Sequence, residues 1–284
     1  AVESAAQRIL DVVSEPAETD AGVVRVTASI GVALIPDDAR TVEGVLNAAD
    51  AAMYAAKRSG GDRFMYYTEG MNEEAEQRAD LRQRLAEALR RREFVLAYQP
   101  IIRPEDSSVW GVETLVRWNV DGGLVPAGEF IGVAEQTGQI RYVGQQVLEA
   151  LAADAEDLLA ILPGDARVSV NLSVAELEED RNVDLLHRTV LSAYGGRLIA
   201  EVTESALLEE GSSAYAAVEG LVRAGAGLAM DDFGTGYANL SALYGMNPTV
   251  IKADQSLLEN AVSGDRRQAA LLQAVVALSE AVGA

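Results

Sequence analysis

Two carboxylates stand side by side in Met230-Asp231-Asp232-Phe233-Gly234-Thr235-Gly236-Tyr237, and their type and spacing point to chemistry. They follow the apolar run Gly227-Leu228-Ala229-Met230, which reads as a buried strand. They lead into a loop with two glycines, where a backbone can approach a ligand closely. Adjacent carboxylates repel each other by roughly 4 kcal/mol at about 4 Å in an effective dielectric of about 20. A divalent cation removes that repulsion, and hard oxygen donors of this kind suit Mg²⁺ or Mn²⁺. Taken alone, an Asp-Asp pair is more often a solvated Asx turn after a strand. The rest of the chain reverses that balance.

Six apolar, strand-like runs alternate with helical stretches: Phe94–Ile102, Val109–Val116, Val168–Leu172, Leu198–Val202, Gly227–Met230 and Val250–Lys252. Each contains or leads into one polar candidate, in turn Gln99, Glu113, Asn171, Glu201, Asp231 and Lys252. The alternation predicts an α/β fold. In a β/α barrel the strand ends converge on one face, and active sites sit there.

The first part of the chain reads as the end of a domain. Ala5 to Val13 predicts a helix with Ile9, Leu10 and Val13 on one side. Val23 to Ala33 has strand periodicity, with Val24, Val26, Ala28 and Ile30 alternating with mostly polar neighbours. Pro36-Asp37-Asp38 predicts a turn. Thr41 can cap a helix with apolar positions at Val45, Leu46, Ala49, Met53 and Ala56, stopped by Gly60-Gly61. A short strand, Arg63 to Tyr67, follows. Thr68 to Arg92 is polar and helical, with Leu81, Leu85 and Leu89 forming one apolar stripe. The expected division is 1–68 as a domain remnant, 69–93 as a helical linker, and 94–284 as a catalytic domain.

Composition removes several classes. There are no cysteines and one histidine, His187, so thiolate and polyhistidine metal sites and a serine–histidine triad are excluded; His187 reads as a structural residue on a helix surface. No run approaches the roughly 20 apolar residues of a membrane span. A net charge of −21 argues against long nucleic acid. It leaves room for a small phosphate ligand where metal and local cations reverse the sign. The run Glu176-Leu177-Glu178-Glu179-Asp180 reads as a solvated face.

Tyr98-Gln99-Pro100, Glu113-Thr114-Leu115-Val116-Arg117-Trp118, Asn171-Leu172-Ser173, Glu201-Val202-Thr203-Glu204, the Asp231–Tyr237 loop and Ile251-Lys252-Ala253-Asp254 occur in this order. Together they resemble the EAL family of cyclic di-GMP phosphodiesterases over roughly residues 80 to 284. The resemblance implies a TIM-like β/α barrel that opens cyclic di-GMP to linear pGpG with Mg²⁺ or Mn²⁺. It assigns Glu113, Asn171, Glu201 and Asp231 to one ion, and Asp231 with Asp232 to a second. Two ions about 3.5–4 Å apart can clamp a phosphodiester and activate a water. By the same resemblance Lys252 orients that water or stabilises developing negative charge. Gln99, Leu115 and Arg117 hold the substrate, the guanidinium being suited to a bidentate phosphate contact. Glu204 anchors the Asp231–Tyr237 loop, which couples to dimerisation in the family, so a homodimer is implied. Plainer roles compete: a helix cap for Asn171, a structural ion pair for Arg117, a snorkelling surface amine for Lys252, and packing for Trp118.

Ala28-Ser29-Ile30-Gly31-Val32-Ala33 and Ala49-Asp50-Ala51-Ala52-Met53-Tyr54-Ala55-Ala56-Lys57 resemble the C-terminal part of a GGDEF domain, the diguanylate cyclase family. Its signature loop would lie before Ala1, so cyclase activity is not expected; the resemblance makes Lys57 a phosphate contact. Thr114 stands where the EAL motif usually has alanine, and is expected to be tolerated. Family members continue into a strand bearing a further glutamate and then a final strand. The barrel is therefore expected to lack its last strands here, the chain alone to be poorly stable and weakly active, and the sequence to be a fragment of a longer cytoplasmic protein with upstream sensory or membrane regions. A non-catalytic cyclic di-GMP-binding regulator is the alternative function, and a barrel enzyme for another phosphoester is a third.

Overall fold

The computed structural model describes residues 2–19, 22–203, 211–233, 245–255, 257–258 and 266–284. They form two compact units, Ala1–Gln83 and Arg84–Ala284.

In the first unit, helix α1 (Val2–Val13) buries Ala6 and Leu10, while Ile9 is exposed. The stretch expected as one strand is two: β1 (Ala17–Thr19) pairs antiparallel with β2 (Gly22–Val24), and β3 (Ser29–Val32) starts after a break. Val24 and Val26 are exposed, so their alternation buries nothing in the described structure. Thr41 caps α2 (Val42–Arg58), its side chain accepting from the Gly44 N–H at 3.1 Å. The buried face of α2 is Ala48, Ala51, Ala52 and Ala56, a stripe of small residues; Leu46 is exposed. Small residues are required because β3 lies directly beneath. A Cβ on Gly31 would sit 1.8 Å from the Ala49 carbonyl oxygen. β4 (Arg63–Tyr66) runs parallel to β3, with Ile30 opposite Phe64. Lys57 is exposed on α2.

Helix α3 (Met71–Arg91) carries the leucine stripe, with Leu85 and Ala88 fully buried in the second unit. There its C-terminal end is fastened by Gln146, whose Nε2 donates to the Leu89 carbonyl at 2.7 Å, and by an Arg92–Glu149 ion pair.

The second unit is built on one mixed sheet: β5 (Phe94–Ile102), β6 (Val109–Val120), β7 (Gly123–Pro126), β8 (Arg167–Asn171), β9 (Leu198–Thr203), β10 (Gly227–Phe233) and β11 (Val250–Ala253). The spatial order is β11-β10-β9-β8-β6-β5, with β7 also on β6. β6 through β11 are parallel along that path, whereas β5 and β7 run antiparallel to β6. The helices are α4 (Ile131–Gln136), α5 (Ile140–Ala153), α6 (Ala155–Ile161), α7 (Val174–Leu177), α8 (Asp180–Leu185), α9 (Ser192–Tyr194), α10 (Ser213–Arg223) and α11 (Arg266–Val282).

Strand parity decides what each face does, since successive side chains point to opposite sides. Val168, Val170, Leu198, Ala200, Val202, Leu228 and Met230 share one face and join the core with Leu148, Leu151, Leu158, Val218 and Leu221 of the helices. Each leucine fully buried there contributes about 1.5–3 kcal/mol. The intervening residues, Ser169, Asn171, Glu201, Ala229 and Asp231, occupy the other face. At the β5–β6 end, Trp118 is 2% exposed; its ring centroid lies 6.0 Å from that of Phe130, and its indole N–H donates to Glu93. Trp118 packs, as one of its expected roles requires. His187 is half-buried rather than on an open surface. Among the described residues no helix is long and apolar enough to cross a membrane.

Candidate active site

Register carries the polar residues to one place. Gln99 pairs with Glu113, Glu113 with Ser169, Asn171 with Glu201, and Glu201 with Ala229. Ala229 pairs with Val250, so Asp231 and Lys252 lie one parallel step further on the same face. The result is a cluster centred on one ammonium. Lys252 Nζ donates to Glu201 Oε2 at 2.8 Å, Asp231 Oδ2 at 3.0 Å and Glu113 Oε1 at 3.3 Å. Asn171 Nδ2 donates to the same Glu113 oxygen at 3.0 Å. Four strands besides β11 contribute, and Lys252 lies 139 residues from Glu113.

The electrostatics are those of a buried acid held by a base. Burial pushes the Glu201 carboxyl up, and the hydrogen bond and charge of Lys252 oppose this without cancelling it. Burial works to lower Lys252, but the Glu201 and Asp231 contacts outweigh it and hold the ammonium well above its ordinary range. Asp232 is raised by burial and by its neighbours Asp231 and Asp254, with Lys252 acting against them. Its backbone has φ 55°, a left-handed conformation uncommon outside glycine, at the end of β10. Asp231 Oδ1 accepts from the Asp232 N–H at 3.0 Å, which closes the turn locally.

Most of the sequence-derived candidates are thus brought together, and the others sit around them. Gln99 is exposed opposite Glu113, and Leu115 and Arg117 are half-buried further along β6. Arg117 Nη1 donates to the Val116 carbonyl, and among the described residues no carboxylate pairs with it. Asn171 does not cap the following helix; Ser173 does, through a capping box with Glu176. Glu204 and loop residues 234–237 lie outside the described residues.

The acidic run after Asn171 departs from expectation. Glu176 is 6% exposed and Leu177 is buried, while Glu178 is solvated. The signal was present in the Ser-x-x-Glu spacing of a capping box, which draws the acid back over the helix start. Glu176 and Leu115 line a cavity of about 620 Å³ that opens onto Asn171, Glu201, Asp231 and Asp232. A second cavity, about 460 Å³, runs along the inner sheet face past Ile101, Ile199 and Lys252.

The donor set is three carboxylates and an amide oxygen, with Asp232 adjacent, which fits a hard divalent cation. With Lys252 between the carboxylates, no group of three or more His, Asp or Glu among the described residues is arranged to ligate one. The ammonium neutralises the acids where an ion would otherwise do so.

The sequence model of the EAL domain matches residues 82–284. The chain belongs to the EAL domain family. A diguanylate cyclase GGDEF model precedes the EAL domain, over residues 1–63. The bifunctional diguanylate cyclase/cyclic di-GMP phosphodiesterase MucR of Pseudomonas aeruginosa is 34% identical over 276 residues, 96% of this chain and 40% of MucR. The cyclic di-GMP phosphodiesterase NbdA of the same organism is 31% identical over 277 residues, 96% of this chain and 35% of NbdA. The chain therefore spans well under half the length of either relative. A solved structure of the PaMucR phosphodiesterase in complex with c-di-GMP superposes on the EAL domain with a TM-score of 0.63 at 33% identity, covering 72% of this chain and 83% of that one. Mixed α/β architecture with a parallel-rich sheet is shared with that neighbour.

Proposed function

We propose that this EAL domain hydrolyses cyclic di-GMP to linear pGpG, using Mg²⁺ or Mn²⁺. The observation that carries the reading is the convergence of Glu113, Glu201 and Asp231 on Lys252, at the open end of a cavity large enough for a nucleotide. Relatives at 34% and 31% identity bear the name cyclic di-GMP phosphodiesterase and support the substrate class.

Glu113, Asn171, Glu201 and Asp231 would hold one ion, and Asp231 with Asp232 the other. Bound there, divalent ions supply charge to the phosphodiester and acidity to water. The protein's own part is positioning. Arg117 has guanidinium N–H groups left for a phosphate after its single backbone contact. Gln99 offers an amide beside Glu113, and Leu115 an apolar wall. Lys252, kept protonated by its neighbours, places a fixed positive charge where negative charge develops. We assign 1–68 to the GGDEF-like remnant, 69–93 to the helical linker and 94–284 to the phosphodiesterase domain, and read the active species as a cytoplasmic homodimer.

The test is conversion of cyclic di-GMP to pGpG by the protein in its natural full length, with Mg²⁺ or Mn²⁺ and with chelator. Metal-dependent turnover that Glu113→Ala abolishes is expected. A folded, metal-loaded protein that binds the nucleotide without turnover would instead be a cyclic di-GMP-responsive regulator.

A further inference from the structure

The cavity beside the acidic cluster is walled by Leu115, Ile131, Ile140, Val143 and Leu172, and one buried acid enters it. Glu176 comes from α7. Its Oε2 accepts from the Ser173 N–H at 2.9 Å and the Ser173 hydroxyl at 2.5 Å, which completes the helix cap. Its Oε1 accepts no hydrogen bond among the described residues. That oxygen occupies the space a side chain on Gly144 of α5 would take: a Cβ there would lie 1.7 Å from it. A capping acid needs one oxygen only and is ordinarily solvated. Burying the second in an apolar pocket, unpartnered, is unfavourable unless something donates to it. A second polar group in the same wall is in the same condition: Thr114 is 3% exposed and its Oγ1 has no partner.

An ionised carboxylate accepts and cannot donate. The edge it selects on a purine is one with N–H donors. Guanine presents N1–H and the 2-amino group there, whereas adenine presents an acceptor at N1. We propose that Glu176 is a specificity-determining residue that receives the N1–H and 2-amino edge of one guanine of cyclic di-GMP in this cavity. The proposal rests on cyclic di-GMP being the ligand. Gly144 is its structural complement, because any side chain at that position displaces the carboxylate. The two remaining acids near the pocket do not substitute: Glu135 lies on the opposite wall at the end of α4, and Asp231 is engaged with Lys252.

The experiment compares kcat/KM for cyclic di-GMP with that for cyclic di-AMP in the natural full-length protein, its Glu176→Gln variant and its Gly144→Ala variant. Glutamine can keep the Ser173 cap with its carbonyl, and then turns an NH₂ donor toward the base. Alanine at 144 moves the carboxylate and leaves its charge. The expected wild-type preference is at least 100-fold for the guanine dinucleotide, narrowed at least tenfold in both variants. If a variant binds without turnover, the same ratio is read from Kd. A fold defect lowers both nucleotides together, so an unchanged ratio in folded Glu176→Gln and Gly144→Ala overturns the assignment. Wild-type protein that is folded and metal-loaded yet neither binds nor turns over cyclic di-GMP overturns the function above and this assignment with it.

Discussion

Lys252 Nζ lies 2.8 Å from Glu201 Oε2, and Glu201 has a side chain only 2% exposed. A carboxylate so deeply buried is tolerable because a base reaches it, and that base is shared with Glu113 and Asp231. Removing one partner of such a group leaves uncompensated charge. Lys252→Met should therefore destabilise the second unit by about 3 kcal/mol in urea unfolding. If the acids form a metal site, millimolar MgCl₂ should recover much of that loss, since a ligand bound only by the folded state stabilises it. No greater gain for the variant than for the wild type would count against the carboxylates as a metal-binding set.

Glu176 makes stability depend on pH. Burial raises its carboxyl from 4.5 to about 7, the Ser173 hydrogen bonds opposing and the Glu135 charge adding. The folded state then holds a proton that the unfolded chain has released, so this group's contribution is full below about 4.5 and is lost as pH rises to about 7. The loss is at most roughly 3 kcal/mol. Denaturant titrations at pH 5 and pH 8 should show it, and Glu176→Gln should flatten the difference. An equal slope in wild type and variant would mean the acid titrates normally.

Gly31→Ala should unfold the first unit preferentially. The added methyl meets the Ala49 carbonyl oxygen at 1.8 Å and the Met53 amide nitrogen at 2.3 Å, both backbone atoms of α2. Helix and strand must separate, at a cost of about 3 kcal/mol. Limited proteolysis would report cleavage within 1–83 while the second unit stays intact. Uniform resistance would show that β3 and α2 can slide apart freely.

Arg117→Ala should raise KM for cyclic di-GMP at least tenfold with a smaller change in kcat, because a phosphate contact made equally in ground and transition states acts mainly on binding. Loss of kcat alone would place Arg117 with the reacting atoms rather than with substrate retention.

Much of this architecture is legible in the residues. The apolar run Phe94–Ile102 is β5 with the same bounds, and the other five runs begin or end within a few residues of β6, β8, β9, β10 and β11. Local hydrophobicity suffices for that, because a strand buried on its outer face must be apolar there. What local pattern cannot supply is direction and partnership. The antiparallel setting of β5 on β6 follows from the short turn between them, while the rest of the sheet is crossed by helices. Val23–Ala33 shows the opposite failure. Its alternation is strand-like, yet Val24 and Val26 face no core and the strand breaks between them and Ser29. Glu176 was hidden by its acidic neighbours: charge density along Glu176–Asp180 suggests solvent, whereas the cap to Ser173 turns one member inward.

The contact between Gly144 and Glu176 has a consequence for how chains with this fold vary. The two positions compete for one volume, since a Cβ at 144 and a carboxylate from 176 cannot both fill it. A substitution at either position alone is therefore either a clash or a void. Only paired changes keep the cavity wall closed, for instance a short acid at 144 with a smaller residue at 176. Across the family, 144 and 176 should change together, and the acid that faces the cavity should be supplied by one helix or the other, seldom by both.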